Sequence, residues 1–262
     1  MKFTVRGQPV YAYTGTRAFD PAKPAIVFVH GAAHDHSVWL LQSRYFAHHG
    51  FNALAIDLPG HGRSGGAALT SVEAIADWLV DLFDAAGIAR ASIVGHSLGA
   101  LASLACAARH PSRVDKLALL GPAAPMEVSE GLLAAAKADD PVAYELISGW
   151  STSYGKQLGG NTVPGMWLVG NDLKLMQRTP PGVLHTDLVA CNAWDGGRAS
   201  AVQVRCPTLV VMAARDLMTP PRAAKPLIDA LAGVRVVTLP ETGHAMMAEQ
   251  PDAVLDALRA FL

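Results

Sequence analysis

The sequence predicts an α/β domain in which a mostly parallel, doubly wound sheet carries an inserted helical cap. Short, continuously apolar runs alternate with segments of helical periodicity along most of the 262 residues, and one long helical stretch interrupts the alternation. Continuous apolar strands indicate a sheet covered on both faces, and alternating strands and helices indicate a doubly wound arrangement. The hydrophobic fraction of 51% and the charged fraction of 16% are typical of one large globular domain rather than of a disordered chain.

Eight segments of the sequence have the composition of β-strands. Two N-terminal segments alternate between apolar and polar residues, which favours antiparallel pairing at one edge of the sheet. These segments are Lys2–Val5 and Pro9–Tyr13. The other segments are continuous apolar runs, which predict buried strands. They are Ala25–Val29, Ala53–Ile56, Ala91–Val94, Lys116–Leu120, Thr208–Met212 and Arg235–Leu239.

Helical patterns fill the longer intervals between these strands. The segment Val72–Ala85 carries apolar residues on one face at helical spacing, and Gly87 is typical of a residue that follows a helix end. The segment Ser97–Arg109 is rich in alanine and leucine, and Pro251–Leu262 has an amphipathic pattern. Strands and helices that alternate in this way are what a doubly wound domain requires.

The alternation breaks between residues 122 and 205. That stretch is helical in pattern and lacks runs rich in β-forming residues. Because strand–helix blocks flank it on both sides, we interpret it as a cap inserted over a functional site rather than as the next part of the core. The predicted organisation is residues 1–121 as the first part of the core, residues 122–205 as the helical cap and residues 206–262 as the second part of the core.

Charge and cysteine content exclude several classes of protein. Lys and Arg number 21 and Asp and Glu number 22, so the chain lacks the clustered excess of basic residues that binds nucleic acid. The three cysteines, Cys106, Cys191 and Cys206, are widely spaced and match neither a disulfide framework nor a zinc site. No apolar run approaches the roughly 20 residues that span a bilayer, and the first residues lack the apolar core of a signal peptide. We therefore expect a cytoplasmic protein with no nucleic-acid or membrane partner.

A serine flanked by glycines directly follows the predicted strand Ala91–Val94. The segment reads Gly95-His96-Ser97-Leu98-Gly99, and a helical pattern begins at once after it. A strand, a tight turn with small flanking residues and a helix form a nucleophile elbow, which lifts the serine hydroxyl to the carboxyl end of the sheet. The helix N-terminus at this place favours negative charge. Ser97 is therefore the predicted nucleophile, and the side chain of its neighbour His96 is expected to diverge from it.

A serine hydroxyl needs a base, and the base needs a carboxylate that holds its tautomer. Among the ten histidines, His244 is the best candidate because it lies between the last predicted strand and the last predicted helix. Asp216 follows the predicted strand Thr208–Met212 and is the best candidate for the carboxylate. Asp187 and Asp195 fall in the predicted cap and are worse placed. The predicted catalytic residues are therefore Ser97, Asp216 and His244.

An oxyanion needs two backbone donors next to the nucleophile. The N–H of Leu98, directly after Ser97, is the first candidate. The second is expected in the loop after Ala25–Val29, which reads His30-Gly31-Ala32-Ala33-His34 and whose small residues let the backbone approach a substrate. We predict that the N–H groups of Ala32 and Leu98 form the oxyanion hole.

Four residues are candidates for the substrate pocket: His34, Trp150, Met166 and Trp167. His34 lies at the end of the predicted oxyanion loop, and the other three are large side chains of the predicted cap. The segment His34-Asp35-His36 does not predict a metal site, because adjacent positions in a turn rarely converge on one ion without further ligands. We interpret Asp35 or Ser37 as the cap of a following helix.

The segment from Gly60 to Gly65 matches the glycine pattern of dinucleotide-binding proteins. In such a site the glycines open a helix at once after the strand, whereas here turn residues continue to Thr70. We therefore expect no nucleotide, no other cofactor and no metal.

Taken together, these residues resemble the α/β-hydrolase fold superfamily. The resemblance rests on His30-Gly31, on Asp57-Leu-Pro-Gly-His-Gly-Arg-Ser64, on the elbow at Ser97, on Asp216 and on Gly243-His244, in the family's order and spacing. It covers nearly the whole chain. It implies the cap insertion, a mechanism without cofactor and an acyl-enzyme intermediate, but the fold hosts many chemistries and does not name a substrate.

The resemblance also distinguishes between branches of the superfamily. Haloalkane dehalogenases and epoxide hydrolases use a carboxylate nucleophile where this chain has Ser97. Plant hydroxynitrile lyases of this fold place Lys, and many meta-cleavage C–C hydrolases place Trp, where this chain has Ala245. The glycine-rich signature of hormone-sensitive-lipase-like esterases is replaced here by the simpler His30-Gly31. These differences favour the carboxylesterase-like branch.

We therefore expect a serine hydrolase that cleaves a small, largely apolar carboxylic ester, thioester or lactone through an acyl-enzyme on Ser97. C–C bond hydrolysis and cofactor-free perhydrolysis by the same three residues are alternatives, which assays with vinylogous diketones and with hydrogen peroxide would separate. A non-enzymatic ligand receptor on this scaffold is a further alternative, against which the complete set of catalytic residue types argues. The sequence leaves open the acyl and alcohol preference and the oligomeric state.

Overall fold

A computed structural model describes residues 1–162 and 165–262 and contains an eight-stranded sheet. Its strands, in chain order, are β1 (Lys2–Val5), β2 (Gln8–Tyr13), β3 (Ala25–Val29), β4 (Asn52–Ile56), β5 (Ala91–His96), β6 (Val114–Leu120), β7 (Thr208–Ala213) and β8 (Arg235–Leu239). They lie side by side in the order β1-β2-β4-β3-β5-β6-β7-β8.

Most of the sheet is parallel. β1 pairs antiparallel with β2, and β2 pairs antiparallel with β4, whereas the strands from β4 to β8 along the sheet run parallel. β3, β4 and β5 are buried along their whole length, as continuous apolar strands covered on both faces must be. The predicted fold class, a mostly parallel doubly wound sheet with an N-terminal antiparallel edge, is confirmed.

Helices connect the strands and cover both faces of the sheet. Their bounds are α1 (Leu40–Ala47), α2 (Val72–Ala85), α3 (Leu98–Arg109), α4 (Glu130–Lys137), α5 (Pro141–Ser151), α6 (Tyr154–Gln157), α7 (Leu168–Met176), α8 (Val183–Ala193), α9 (Gly197–Gln203), α10 (Pro221–Ala230), α11 (Met246–Glu249) and α12 (Pro251–Arg259). Two short 3-10 helices cover His36–Trp39 and Pro111–Arg113. Along the residues that the structure describes, no helix combines the length and the apolar character that crossing a bilayer requires.

The alternation of side chains along β3 shows how the two core layers form. Val27 and Val29 point into the apolar cluster that contains α2 and α3. Ile26 and Phe28 point into the cluster on the opposite face, where α1 and α12 pack. Successive residues of a strand face opposite sides, so one continuous apolar run supplies both layers.

The helices between β6 and β7 divide into two packing units. Leu132 on α4, Ile147 on α5 and Leu188 on α8 belong to an apolar cluster of their own, which also contains Ala33 from the loop after β3. α9 packs against α3 and α10 instead, and its Ala201 belongs to the main core. The helix α9, within the range 122–205 predicted for the cap, thus packs on a helix of the core.

The chemistry-bearing residues follow the carboxyl ends of neighbouring strands. Ala32 and His34 come after β3, Ser97 comes after β5, Asp216 comes after β7 and His244 comes after β8. In a parallel sheet these ends meet at one edge, and ligands of open α/β sheets bind there. The same edge is the one that the helices between β6 and β7 cover.

Candidate active site

Ser97 occupies a strained turn between β5 and α3. Its φ of 54° and ψ of −121° lie in a region that residues with a side chain rarely adopt. The backbone N–H of Ser97 donates to the carbonyl of Leu120 at 3.0 Å, which fixes the turn against β6. Strain of this kind persists only where the surrounding structure determines the conformation, and it is concentrated at functional sites.

The glycines at positions 95 and 99 are required because neither position has room for a Cβ. A Cβ on Gly95 would lie 2.2 Å from the carbonyl oxygen of Gly99 and 2.4 Å from the hydroxyl of Ser103. A Cβ on Gly99 would lie 2.4 Å from the carbonyl oxygen of Val29 at the end of β3. These approaches give a physical reason for the predicted glycine pattern, and they bring the end of β3 against the start of α3.

Asp216 and His244 are joined by a buried hydrogen bond. Nδ1 of His244 lies 2.7 Å from Oδ2 of Asp216, and both side chains are almost fully buried. The other carboxylate oxygen of Asp216 accepts hydrogen bonds from the backbone N–H groups of Met218 at 2.8 Å and Thr219 at 2.7 Å. These donors fix the carboxylate, so Nδ1 of His244 carries the proton that it donates to Asp216 and Nε2 is the atom left to act as a base.

Thr219 is a residue of this site that the sequence analysis missed. Its hydroxyl lies 2.8 Å from Oδ2 of Asp216, 3.1 Å from Nδ1 of His244 and 3.0 Å from the carbonyl oxygen of Gly121. It thus links the ends of β6, β7 and β8 at one point. The sequence feature that could have indicated Thr219 is a hydroxyl residue three positions after Asp216 in the same loop, because Asp side chains form local hydrogen bonds in turns.

The side chain of His96 was expected to diverge from Ser97, and its ring lies beside the ring of His244. Its Nε2 donates to the carbonyl oxygen of His244 at 3.0 Å, and the two imidazole rings lie 4.5 Å apart between centroids. Burial, together with the neighbouring His244, holds the pKa of His96 well below its usual range, so the ring is neutral. Both rings line the same cavity, and His96 supports the backbone of the residue that follows β8.

Ser97 and His244 face a common cavity of about 360 Å³. Most of its wall is apolar, and side chains from the cap form much of that wall: Met126, Leu132, Ile147, Trp150 and Leu188. Among the hydrogen bonds of the residues that the structure describes, none joins the side chains of Ser97 and His244. Hydrogen bonds of catalytic groups are often long without substrate and tighten in the complex.

The predicted pocket residues divide into two pairs. His34 and Trp150 line the cavity. Met166 and Trp167 are exposed, at 41% and 66%, and are not among the described residues that line it. The ring of Trp167 lies over Gly170 within its own helical segment, where a Cβ would meet it at 2.0 Å. The prediction of Met166 and Trp167 as pocket residues is therefore corrected, because their side chains cover the outside of the cap.

The predicted oxyanion donors belong to two backbone segments next to Ser97. Ala32 lines the cavity, and the loop that carries it is so close that a Cβ on Gly31 would lie 3.1 Å from the Cβ of Ser97. Leu98 is the first residue of α3, so its N–H is one of the helix donors without an intrahelical partner. Both predicted donors therefore come from backbone close to Ser97.

Asp35, His36 and Asp57 form a second polar cluster, with potential ligand atoms within 4.8 Å of one another. Oδ1 of Asp57 accepts from the backbone N–H of His36 and lies 2.7 Å from its Nδ1. Oδ2 accepts from the backbone N–H of Arg63 at 2.8 Å. Asp35 accepts from the N–H of Ser37 and caps the first 3-10 helix, as predicted for Asp35 or Ser37. Hydrogen bonds within the protein thus engage both oxygens of Asp57.

Comparison with known proteins places this chain in a family. Residues 26–257 match the model of the alpha/beta hydrolase family, so the chain belongs to that family. It is 30% identical over 220 residues to the pimeloyl-[acyl-carrier protein] methyl ester esterase of Neisseria meningitidis serogroup A. The aligned region covers 79% of this chain and 67% of that protein.

Solved structures show the same fold. The enol-lactonase of Burkholderia xenovorans LB400 superposes with a TM-score of 0.87 at 24% identity, covering 100% of this chain and 99% of that one. An esterase of Exiguobacterium antarcticum superposes with a TM-score of 0.85 at 18% identity, covering 100% of this chain and 98% of that one. At these identities the likeness concerns the fold alone.

Proposed function

We propose that this protein is a serine hydrolase that cleaves a small, largely apolar carboxylic ester, thioester or lactone. The observation that carries the proposal is the hydrogen-bonded pair of Asp216 and His244 in the same apolar cavity as Ser97. Membership of the alpha/beta hydrolase family supports it. The esterase name of a relative at 30% identity supports an ester-type bond as the bond that is cleaved.

The proposed reaction proceeds in two acyl-transfer steps. Nε2 of His244 takes the proton of the Ser97 hydroxyl as the oxygen attacks the substrate carbonyl. Asp216 holds the imidazole in the required tautomer and stabilises the imidazolium that forms. His244 then protonates the leaving alcohol, and an acyl-enzyme on Ser97 remains. Water, deprotonated by His244, attacks the acyl group and releases the acid while the proton returns to Ser97.

The negative charge of each tetrahedral intermediate is assigned to the N–H groups of Ala32 and Leu98. Each donor is a backbone group, so it is fixed before the reaction and needs no reorganisation. Removing one such donor typically costs about 3 kcal/mol of transition-state stabilisation. The N-terminal end of α3 adds its dipole at the same place.

The wall of the cavity supports a neutral, apolar acyl group. Neither lysine nor arginine is among the described residues that line it, whereas the carboxylate of Glu127 stands at the exposed side. His34, whose ring lines the cavity, is already paired with Asp172, so a carboxylate on the acyl chain would be left without a free cationic partner, and burying an unpaired charge is costly. Esters of neutral aliphatic or arylaliphatic acids therefore fit the cavity best.

The test of the proposal is the variant Ser97→Ala. It is expected to lower turnover of p-nitrophenyl esters of increasing chain length by about 10³-fold or more, because the nucleophile is gone while the fold remains. A serine-directed phosphonate should label the wild-type protein at Ser97, as read by mass spectrometry of peptides. Ser92→Ala, on the same strand and outside the cavity, is the control. Undiminished turnover by Ser97→Ala would refute the proposal.

We also propose a cytoplasmic location. The three cysteines are free thiols, and two of them are buried. Free thiols persist in a reducing compartment.

A further inference from the structure

Two aspartates of the cap meet the loop that carries the proposed oxyanion donor. Asp187 on α8 accepts a hydrogen bond from the backbone N–H of Ala33 at 2.9 Å. Asp172 on α7 lies 2.8 Å from Nε2 of His34. Both aspartates belong to the insertion, and both bonds end on the residues directly after Ala32.

Each of these carboxylates also holds a histidine between two acceptors. His61 has Nδ1 at 2.9 Å from the carbonyl oxygen of Pro59 and Nε2 at 2.9 Å from Asp187. His34 has Nδ1 at 2.7 Å from the carbonyl oxygen of Ala32 and Nε2 at 2.8 Å from Asp172. Carbonyl and carboxylate oxygens only accept, so all four ring nitrogens must donate. Both rings are therefore imidazolium cations.

His30 shows that the charge of a buried histidine ring here depends on its hydrogen-bond partners. Its Nδ1 donates to the carbonyl oxygen of Gly31, whereas its Nε2 accepts from the backbone N–H of Leu58. One nitrogen donates and the other accepts, so this ring is neutral. Burial, together with the neighbouring His61, lowers the pKa of His30 to about 3, in agreement with the neutral ring. The cationic rings are the two that face cap carboxylates.

The electrostatics of the other two rings agree with the geometry. Burial opposes the charge of His34, but Asp172, the carbonyl of Ala32 and the nearby Asp35 together outweigh burial and raise the pKa of His34 above its usual value. Burial likewise opposes the charge of His61, but Asp187, the carbonyl of Pro59 and the nearby Asp57 together outweigh it and raise the pKa of His61. Each ion pair is nearly closed to solvent, where a charge is tolerated only with a partner.

The segment held in this way contains a strained residue. Ala33 has a φ of 53°, in the left-handed region that residues with a Cβ rarely adopt. Its N–H donates to Asp187, and its carbonyl oxygen accepts from the hydroxyl of Thr179 at 2.9 Å. Both partners lie in the cap, so the cap determines the conformation of the residue next to Ala32 from both sides.

We propose that Asp187 and Asp172 are positioning residues of the cap, which hold the segment Ala32–His34 through the N–H of Ala33 and the ring of His34 and thereby aim the N–H of Ala32 at the oxyanion; His61 in turn fixes Asp187. This proposal rests on the proposed function, since it assigns a task to cap residues in that same reaction. The cap then completes the catalytic site of the core, in addition to walling the cavity.

The decisive variant is Asp187→Ala, which removes the acceptor of Ala33 and His61 together. It is expected to lower kcat on the order of 10- to 100-fold with little change in KM, because a displacement of about 1 Å at a reacting centre costs about 10²-fold. Affinity for a trifluoromethyl ketone, which forms an oxyanion on Ser97, should fall in parallel. Asp187→Asn is the rescue: both bonds end on Oδ2, and an amide oxygen in that place can still accept from the N–H of Ala33 and from Nε2–H of His61, so kcat should recover.

Two further variants keep the test independent of a folding defect. Thr179→Val preserves shape and charge but removes the donor to Ala33, and it should lower kcat a few-fold at unchanged KM. Asp140→Ala removes the N-terminal cap of α5, a carboxylate that accepts from the N–H of Val142 within that helix, and it should leave kcat unchanged. A wild-type kcat for Asp187→Ala and Thr179→Val, or a loss confined to KM, would overturn the positioning role. If the wild-type protein itself does not turn over esters, the proposed function fails instead.

Discussion

At the scale of single residues, the elbow shows why a short motif can be interpreted without an alignment. Gly95 and Gly99 leave no room for a Cβ, because backbone atoms stand within 2.4 Å of the place it would take. Space therefore fixes the residue type, and the strand before the motif fixes its location. Ser97, Asp216 and His244 could be proposed from sequence because each directly follows a strand of recognisable pattern.

The space around Gly95 gives a prediction for stability. Gly95→Ala should lower the free energy of unfolding by about 1–3 kcal/mol, because the new methyl group overpacks a site with no room to relax. Urea denaturation followed by circular dichroism measures it. The matched control is Gly131→Ala in α4, where nothing lies within 4 Å of the new Cβ. That change should stabilise the protein by about 0.5–1 kcal/mol, and equal effects at both sites would contradict the packing argument.

Other residues of the site lay beyond sequence reasoning. Thr219 matters because three strand ends converge on its hydroxyl, and that convergence exists only in the folded sheet. Asp187 could be excluded as the partner of His244 by its place in the cap, but its contact with His61 spans 126 residues of sequence. The sequence could not show whether large cap side chains such as Met166 and Trp167 line the cavity or lie on the outside, because helical periodicity does not say which face a neighbouring helix will cover.

At the scale of elements, the strands and the place of the insertion could be predicted, but the packing of the inserted helices could not. β3 shows why a buried parallel strand is recognisable, because both of its faces need apolar residues and the run is continuous. Short cap helices such as α6 and α9 have no comparable signal, since their position depends on contacts with distant helices. For this reason the sequence placed α9 within the cap, although it packs on α3 and α10.

The two imidazolium–carboxylate pairs between cap and core predict a dependence on pH. A histidine whose pKa is raised in the folded protein stabilises the fold fully below its unfolded pKa, and this contribution is lost as the pH rises through the folded pKa. For His34 and His61 the pKa is raised from 6.5. The free energy of unfolding and the attachment of the cap should therefore both decline on the alkaline side.

The measurement compares the wild-type protein with His61→Gln in urea titrations from about pH 6 upward. His61→Gln should remove part of the alkaline decline, and superimposable pH profiles would contradict the assignment. The groups that face His61 are Asp187, Asp57 and His30. Those that face His34 are Asp172, Asp35, His30 and His96. The carboxylates favour the cationic rings and the neighbouring imidazoles oppose them.

At the scale of the whole molecule, burial lowers the reactivity of the cysteine thiols. Cys106 is buried in α3, and burial raises the pKa of its thiol to about 12. Cys191 is buried in α8, and burial raises the pKa of its thiol as well. Cys206 is half-buried before β7, where burial also raises the pKa of the thiol. A thiolate is the reactive form, so none of the three is poised to react in the native protein.

Titration with Ellman's reagent tests this arrangement. In native buffer at most one thiol per chain, that of Cys206, should react slowly, and all three should react at once in guanidinium chloride. The variant Cys206→Ser should abolish the slow native reaction. Rapid modification of Cys106 under native conditions would show that the core opens far more readily than its packing indicates.

The anchoring of Ala33 and His34 by Asp187 and Asp172 limits how this insertion can be exchanged. A foreign cap grafted between β6 and β7 would have to bring carboxylates to the same two places, or the chimera would carry buried cations without counterions. Loss of turnover in such a graft would then reflect an unsupported backbone in the recipient scaffold, even where the new helices shape a suitable chamber. Selectivity and rate are for this reason expected to change together when the insertion is redesigned.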